Sequence, residues 1–276
     1  MINCIIFSFD RALQLRNLLY SLSVNASGVF DISIIYKYST DEYNAAYEKL
    51  KSENIIPDIN WVKQSDNFKT DLLNLLDKEK EIQYTCFGTD DDILYRKFNV
   101  NEITNCLSAD EDVFCFSLRL GKNTTYCYAM NATNKLIPLP KENNHTENII
   151  KWDWQKHFFD LGYPLSVDFH IFRTHDISKL IKKVNFTNPN TLEASLQIFD
   201  SFPKYKMASF DNSVIVNTPI NIVQKTFQNR NGEEYGMTAK ELNDKYINGS
   251  VIDYEKLDFT SIKSPHQEIK LEFKNL

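Results

Sequence analysis

The sequence predicts an α/β fold built on a mostly parallel β-sheet that is flanked by helices. Three observations lead to this prediction. Short apolar runs without a helical period alternate with amphipathic helical segments through the first third of the chain. The spacing between the apolar runs leaves room for one helix each, and strands joined by helices run parallel. The 276 residues are 42% hydrophobic, which is enough for a large core.

The first half supplies the alternation, element by element. Residues 3–9 form an apolar run that is typical of a buried strand. The stretch from Arg11 to Ser23 places leucines on one side of a helix, and Asp10 is positioned to cap it. The same patterns predict strands at 31–38, 58–63 and 82–87, and helices at 40–54 and 66–78.

The second half loses the regular alternation, and its predicted structure is mixed α+β. Helical patterns occur at 101–107, 176–183 and 238–246, and strand patterns at 112–118, 206–210 and 213–217. A hairpin is predicted within 125–139. Residues 149–175 are rich in aromatic side chains and contain Asp168 and His170.

Composition and charge exclude several classes of function. The formal net charge of −6 argues against a nucleic-acid partner, because such proteins carry basic patches. No apolar run approaches the ~18 residues of a membrane span, and the start MINCIIFSFDR lacks the features of a signal peptide. The five cysteines form no C-x-x-C pair, so we expect reduced core cysteines. These features predict a cytoplasmic protein, with a peripheral position at the inner face of the membrane as an alternative.

Polar clusters follow three of the predicted strands. Ser8, Phe9, Asp10 and Arg11 follow the first strand, residues 65–69 follow the third, and three consecutive aspartates at 90–92 follow the fourth. Ligands of such sheets bind at the carboxyl ends of the strands, so we expect these clusters to border one cleft. A dinucleotide-binding loop and a P-loop are not indicated, because neither glycine-rich sequence occurs.

Two interpretations of the aspartates are open from the residues alone. Carboxylates are hard oxygen ligands that suit Mg²⁺ or Mn²⁺, so the run predicts a divalent-metal site. The alternative is a solvated turn. The loop of Asp10 and Arg11 has a similar pair of interpretations: it contacts a nucleotide and its phosphates, or Asp10 caps the helix and Arg11 lies at the surface.

Three stretches carry a resemblance to a known family. FSFDRALQLRNLLYSL at the start, DNFKTDLLNLL before the fourth strand and FGTDDDILY after it resemble GT-A-type nucleotide-sugar-dependent glycosyltransferases, in particular bacterial, family-2-like ones. The resemblance covers mainly residues 1–130. It implies a GT-A-like, Rossmann-type sheet whose first half binds the nucleotide sugar, and a mixed C-terminal half that binds the acceptor.

The resemblance also implies roles for single residues. Asp92 corresponds to the metal-binding aspartate of the family's D-x-D motif, and Asp90 to the aspartate that faces the donor. Asp90 is also the second predicted metal ligand. The cofactor implied is Mn²⁺ or Mg²⁺. The remaining positions implied to contact the donor nucleotide are Phe9, Asp10, Arg11, Lys69 and Asp91.

The catalytic candidates come from the second half. An inverting enzyme needs a carboxylate that takes the proton of the acceptor hydroxyl, and Glu193 and Asp168 are the two candidates. If Asp168 and His170 lie on one strand, they share a face, and the family often supplies a late histidine as a metal ligand, so His170 is the predicted third ligand. A first-turn role for Glu193 and a satisfied Asp168–His170 pair remain the structural alternatives.

The predicted function is metal-dependent transfer of a sugar from a nucleotide-diphosphate sugar to a saccharide or lipid-linked saccharide, in bacterial surface-polysaccharide, capsule or lipopolysaccharide synthesis. The setting follows from the resemblance. The alternatives are a nucleotidyltransferase that acts on a sugar phosphate and a non-catalytic carbohydrate-binding domain. We expect one catalytic domain at 1–218, divided into halves at 1–130 and 131–218, and an extension at 219–276 that packs on it.

Overall fold

The fold is organised around an eight-stranded mixed sheet. The structure is a computed structural model, which describes residues 1–78, 82–139, 148–199 and 204–276. Within these ranges the strands are β1 (Ile2–Phe9), β2 (Phe30–Lys37), β3 (Asn60–Lys63), β4 (Tyr84–Thr89), β5 (Asp92–Leu94), β6 (Val113–Ser117), β7 (Tyr126–Cys127), β8 (Ala132–Thr133), β9 (Ile149–Asp153), β10 (His170–Arg173), β11 (Lys206–Phe210), β12 (Ile215–Asn217), β13 (Ser250–Ile252) and β14 (Phe273–Asn275).

Helices cover both faces of this sheet. The α-helices of the described ranges are α1 (Ala12–Asn25), α2 (Asp41–Glu53), α3 (Phe68–Lys78), α4 (Val100–Ala109), α5 (Thr174–Lys183), α6 (Pro189–Leu196) and α7 (Ala239–Ile247). Short 3₁₀ turns occur at Trp154–Lys156, Phe159–Gly162, Gln197–Phe199 and Tyr254–Lys256.

The strand order of the main sheet is β3-β2-β1-β4-β10-β6-β11-β9. Strands β3, β2, β1 and β4 run parallel, and so do β6 and β11. Strands β10 and β9 run antiparallel to their neighbours. The predicted α/β class with a mostly parallel sheet is therefore confirmed.

Burial on both faces explains why β1 is apolar along its length. Seven of the eight residues of INCIIFSF are buried, as expected for a central strand between two helical layers. On one face, β1 packs with the leucines of α1 and α2, and on the other with those of α3 and α5. Full burial of a leucine contributes about 1.5–3 kcal/mol, so the α1 leucines anchor this helix and the loop that precedes it.

Most predicted elements of the first half lie within two residues of the observed ones. One detail is wrong: Asp10 does not cap α1. The helix begins at Ala12, its N-cap residue is Arg11, and no side chain caps it. Asp10 has a left-handed backbone with φ 57°, and its carboxylate accepts from the backbone N–H and the hydroxyl of Ser39 at 2.8 and 2.6 Å. It therefore ties the loop after β1 to the loop after β2.

The segment after Pro219 contributes to the core of the sheet. Ile220, Leu242 and Tyr246 are at most 2% exposed and share one apolar cluster with residues of β1 and α1. Helix α7 packs against α2 and α1. All five cysteines are buried and free, as predicted. In the described ranges, no helix is long and apolar enough to cross a membrane.

Candidate active site

The carboxyl ends of β1 and β4 meet beside a buried run of three aspartates. Asp90 and Asp91 form the turn between β4 and β5, and Asp92 begins β5. Their exposed fractions are 3%, 8% and 1%. The interpretation of this run as a solvated turn is therefore wrong. Carboxylates removed from water require compensating partners, and the surrounding side chains supply most of them.

Arg11 binds two of the three aspartates. Its Nη1 atom donates to Asp90 Oδ1 at 3.0 Å and to Asp91 Oδ2 at 2.8 Å. Its Nε and Nη2 atoms donate to the side-chain and backbone oxygens of Asn221, at 2.8 and 2.6 Å. Three nitrogen atoms of the guanidinium therefore donate to protein oxygens. The predicted contact between Arg11 and a nucleotide stays a prediction.

Asp90 is held from the other side by the end of β1. Its Oδ2 atom accepts from the Ser8 hydroxyl at 2.9 Å and from the backbone N–H of Phe9 at 3.1 Å. Burial raises the pKa of Asp90 to about 6, against the opposing effect of Arg11. The structure therefore brings Phe9, Arg11, Asp90 and Asp91 together, as the strand-end argument predicts.

A second group of polar atoms converges on the Thr89 hydroxyl. Its Oγ1 atom lies 3.1 Å from Asp92 Oδ2 and 3.2 Å from Asp168 Oδ1. One hydroxyl proton cannot satisfy both carboxylates at once. The Asn217 amide lies beside them, 2.8 Å from Asp91 Oδ1 and 3.4 Å from Asp92 Oδ1. Burial, and next the Asp168 carboxylate, raise the pKa of Asp92 well above its usual range. The charge on Asp92 is thus under-compensated.

Asp168 has the opposite electrostatic environment. Arg119 is 3% exposed and donates to Asp168 Oδ2 at 2.7 Å, and His266 Nε2 lies 3.3 Å from the same oxygen. Burial by itself would raise the pKa of Asp168, but Arg119 and His266 outweigh it, so this pKa is lowered. Asp168 is therefore an ionised carboxylate at neutral pH.

Glu193 lies close to Asp168, on α6. Its Oε1 atom accepts from the backbone N–H of Val167 at 3.1 Å, so the two predicted catalytic carboxylates are brought to one place. Burial, and next the charge on Asp168, raise the pKa of Glu193. A carboxyl group with a raised pKa beside an ionised one has the properties of a proton acceptor in catalysis.

Two predicted site residues lie elsewhere. The Lys69 ammonium donates to the carbonyl oxygen of Val184 at 2.7 Å and to Asn185 Oδ1 at 3.3 Å, and no contact joins it to the aspartates. His170 is fully buried, with its Nδ1 atom 3.1 Å from the carbonyl oxygen of Pro164. Because an oxygen accepts this bond, Nδ1 carries the proton. The donor role of Lys69 and the metal role of His170 gain no support from these positions.

The expectation that Asp168 and His170 share a strand face is wrong. Strand β10 begins at His170, so Asp168 precedes it. Between them, Phe169 has a left-handed backbone with φ 44°, which breaks the alternation of a strand. Asp168 consequently faces Thr89 and Arg119, whereas His170 faces Pro164.

The donor set at Asp92 fits a hard divalent cation only in part. No group of three or more His, Cys, Asp or Glu side chains in the described ranges has the arrangement of a metal site. Mg²⁺ commonly takes one or two carboxylates and completes its shell with water and substrate phosphates. Asp92 and Asp168 are two such carboxylates, and the buried Nδ1 atom of His266 has no hydrogen-bond partner among the residues that the structure describes. The residues present therefore fit a cation that substrate phosphates help to bind.

Sequence reasoning missed the residues that the C-terminal segment contributes to this site. Asn217, Asn221 and His266 all come from the last quarter of the chain. Asn217 had a usable signal, because it ends a predicted strand, and strand ends supply ligands; in the structure it pairs with Asp92 across β12 and β5. His266 and Asn221 had no such signal, since they lie in segments without a repeating pattern.

Comparison with known proteins yields a relative by sequence. Over 259 residues the chain is 27% identical to the bifunctional glycosyltransferase pgtA of Dictyostelium discoideum, and the match covers 83% of this chain. The predicted resemblance to glycosyltransferases is confirmed. The chain spans about a third of the relative's length, since the match covers 33% of it. No protein-family model matches.

Solved structures also superpose on this fold. S. aureus TarS superposes with a TM-score of 0.48 at 16% identity, over 80% of this chain and 37% of TarS. A cytidylyltransferase of Leptospira borgpetersenii superposes with a TM-score of 0.42 at 11% identity, over 73% of this chain and 71% of that one.

Proposed function

We propose that this chain is a metal-dependent glycosyltransferase that transfers a sugar from a nucleotide-diphosphate sugar to a hydroxyl group of an acceptor. The observation that carries the proposal is the buried Asp92–Thr89–Asp168 group at the carboxyl edge of the sheet, with His266 and Glu193 beside it. The relative described above supports the reaction class. The chemistry of the site supports the need for a cation, because none of the described residues pairs a positive charge directly with Asp92.

Asp92, Asp168 and His266 are the residues that would hold the cation. When bound, a divalent cation there neutralises charge on the diphosphate leaving group. Arg119 keeps Asp168 ionised and oriented, and the Asn217 amide holds Asp91 and Asp92 side by side. This assignment replaces His170 with His266 as the proposed histidine ligand.

Glu193 is the proposed general base. The acceptor oxygen bonds to the anomeric carbon as the bond from that carbon to the diphosphate oxygen breaks, and the nucleoside diphosphate leaves with the electron pair. Glu193 takes the proton that the acceptor hydroxyl loses. A pKa raised by burial improves a carboxylate as a proton acceptor near neutral pH. Asp168 is less suited to this step, since its pairing with Arg119 lowers its pKa.

The setting in bacterial surface-polysaccharide synthesis stays a prediction, and so do the donor base, the donor sugar and the saccharide or lipid-linked acceptor. A nucleotidyltransferase is less favoured, because such enzymes usually carry a glycine-rich, basic loop after the first strand and this chain does not. A non-catalytic carbohydrate-binding domain would show no metal-dependent nucleotide affinity.

Calorimetric titration with UDP, GDP and CMP, with and without Mn²⁺, tests the proposal. We expect one of these nucleotides to bind with an affinity that depends on Mn²⁺. We also expect slow hydrolysis of a nucleotide sugar that contains the same nucleotide. Asp92→Ala is expected to abolish both. The matched control is Asp112→Ala, in a second acidic run at 110–112 whose Asp112 side chain is 53% exposed. If no nucleotide binds in a metal-dependent way, the proposal is wrong.

A further inference from the structure

The buried aspartates at 90–92 already have a positively charged partner in the protein, the guanidinium group of Arg11. Four carboxylates and two guanidinium groups are linked in one series of contacts, in which the Asn217 amide and the Thr89 hydroxyl bridge to Asp92. The charged groups belong to Asp90, Asp91, Asp92, Asp168, Arg11 and Arg119. With all of them ionised, the group has a formal charge of −2. One divalent cation cancels that charge, whereas two would leave an excess of positive charge in a buried site.

The two guanidinium groups are unevenly distributed among the four carboxylates. Arg11 contacts Asp90 and Asp91, and Arg119 contacts Asp168. Among the described residues, the hydrogen-bond partners of Asp92 are neutral: the Thr89 hydroxyl and backbone N–H, and the Asn217 amide. The uncompensated negative charge therefore lies at the Asp92 end.

We propose that Arg11 is an internal counter-ion that restricts divalent-cation binding to the Asp92 end of the run and to one ion per chain. This inference rests on the proposed function, because it concerns the same metal site. It gives Arg11 a positioning role in place of the nucleotide contact that the sequence predicts. Asp90 and Asp91 then act as partners of Arg11, and neither serves as a metal ligand.

Arg11 is fixed in this role by the C-terminal segment. Asn221 accepts from Nε and Nη2 of the guanidinium, and its own amide donates to the carbonyl oxygen of Met237 at 2.9 Å. The Arg11 side chain is 10% exposed. Moving it away would leave two buried carboxylates unpaired, which is strongly unfavourable. The counter-ion is therefore a permanent part of the site.

Direct Mn²⁺ binding to the full chain at pH 8, followed by calorimetry and by the loss of the free-ion EPR signal, tests this role. The variants are Arg11→Met, which removes the charge, and Arg11→Lys, which keeps a cation. Arg16→Met is the matched control, since Arg16 lies on α1, the helix directly after Arg11 in the chain, and pairs with Glu53 at 2.6 Å, away from the aspartates. None of these measurements requires turnover.

We expect the wild type, Arg11→Lys and Arg16→Met to bind one Mn²⁺ with similar affinity. Arg11→Met is expected to bind a second ion, or the first at least about tenfold more tightly, because one positive charge has left the site. Adding Asp91→Asn to Arg11→Met restores the charge balance and is expected to return binding to the wild-type level. A loss of fold alone would not produce this rescue.

Unchanged or weaker Mn²⁺ binding by folded Arg11→Met overturns the inference. If Arg11→Met is too unstable to titrate, its thermal unfolding is measured with and without millimolar Mn²⁺: a larger rise in Tm than in the wild type supports the inference, and an equal or smaller rise overturns it. Failure of the proposed function is distinguishable, since the wild type itself would then bind no Mn²⁺ in the presence of any nucleotide.

Discussion

The Nε2 atom of His266 lies 3.3 Å from the Oδ2 atom of Asp168. This contact joins the C-terminal segment to the Asp168 carboxylate, which precedes β10. The Thr89 hydroxyl in turn links Asp168 to Asp92, in the aspartate run after β4. The side chain of His266 is 27% exposed, so the imidazole lies between the buried aspartates and solvent. A residue of the C-terminal segment therefore contacts the candidate site from its solvent side.

Replacing His266 with alanine is expected to weaken Mn²⁺-dependent nucleotide binding by about 10- to 100-fold, the usual effect of losing a ligand or its supporting partner. Calorimetry with Mn²⁺ and the preferred nucleotide measures this. His170→Ala is the comparison, because the sequence predicts His170 as the ligand. If His170→Ala loses the Mn²⁺ dependence and His266→Ala keeps it, the assignment of the histidine is wrong.

Glu193→Gln is expected to lower kcat for sugar transfer by about 10²- to 10⁴-fold, because the amide cannot take the acceptor proton. Nucleotide affinity in the presence of Mn²⁺ is expected to stay within about threefold of the wild type. Steady-state kinetics and calorimetry on the same preparation measure the two effects. Glu102→Gln, in the first turn of α4, is the control. A kcat within a few-fold of the wild type would exclude Glu193 as the base.

Arg119→Met is expected to reduce the free energy of unfolding by about 3 kcal/mol, because it leaves the buried Asp168 carboxylate without its arginine partner. Urea denaturation measures the change. Lys122→Met removes the ion pair with Asp211, where the lysine side chain is 50% exposed, and is expected to change stability by less than about 1 kcal/mol. Asp168→Asn added to Arg119→Met should recover part of the loss. Equal effects of the two single variants would contradict this account.

His170 makes stability depend on pH. Burial, and next the charge on Arg119, lower its pKa to about 3, compared with about 6.5 in an unfolded chain. The unfolded state therefore binds a proton between these values and the folded state does not. The contribution of neutral His170 to the free energy of unfolding is fully present above about pH 6.5 and is lost as the pH falls toward 3. At pH 4 the loss is about 3 kcal/mol.

Urea midpoints measured from pH 7 to pH 4 test this dependence. His170→Phe cannot bind a proton, so its loss of stability over this range is expected to be smaller than that of the wild type. His175→Asn is the control, because the His175 side chain is 74% exposed. Parallel pH profiles for the wild type and His170→Phe would rule out the buried neutral histidine.

The local elements were predictable because each is specified by a short stretch of sequence. The apolar run at 3–9 and the leucine spacing of α1 are signals that one strand or helix carries alone. The strand-end argument then placed Phe9, Arg11 and the three aspartates together, since parallel strands bring their carboxyl ends to one edge. Strands β9 and β10 escaped prediction because their aromatic sequences lack a period of two.

What the sequence determined by itself is the α/β class, the sheet edge that holds the site, and the resemblance that indicates its chemistry. Only the tertiary structure decided which partners each charge has. The identity of a counter-ion depends on contacts between distant segments, such as Arg11 with Asn221 or Asp168 with His266, and no local pattern encodes them. Because a buried carboxylate takes its properties from those contacts, three aspartates adjacent in sequence have different roles in the fold.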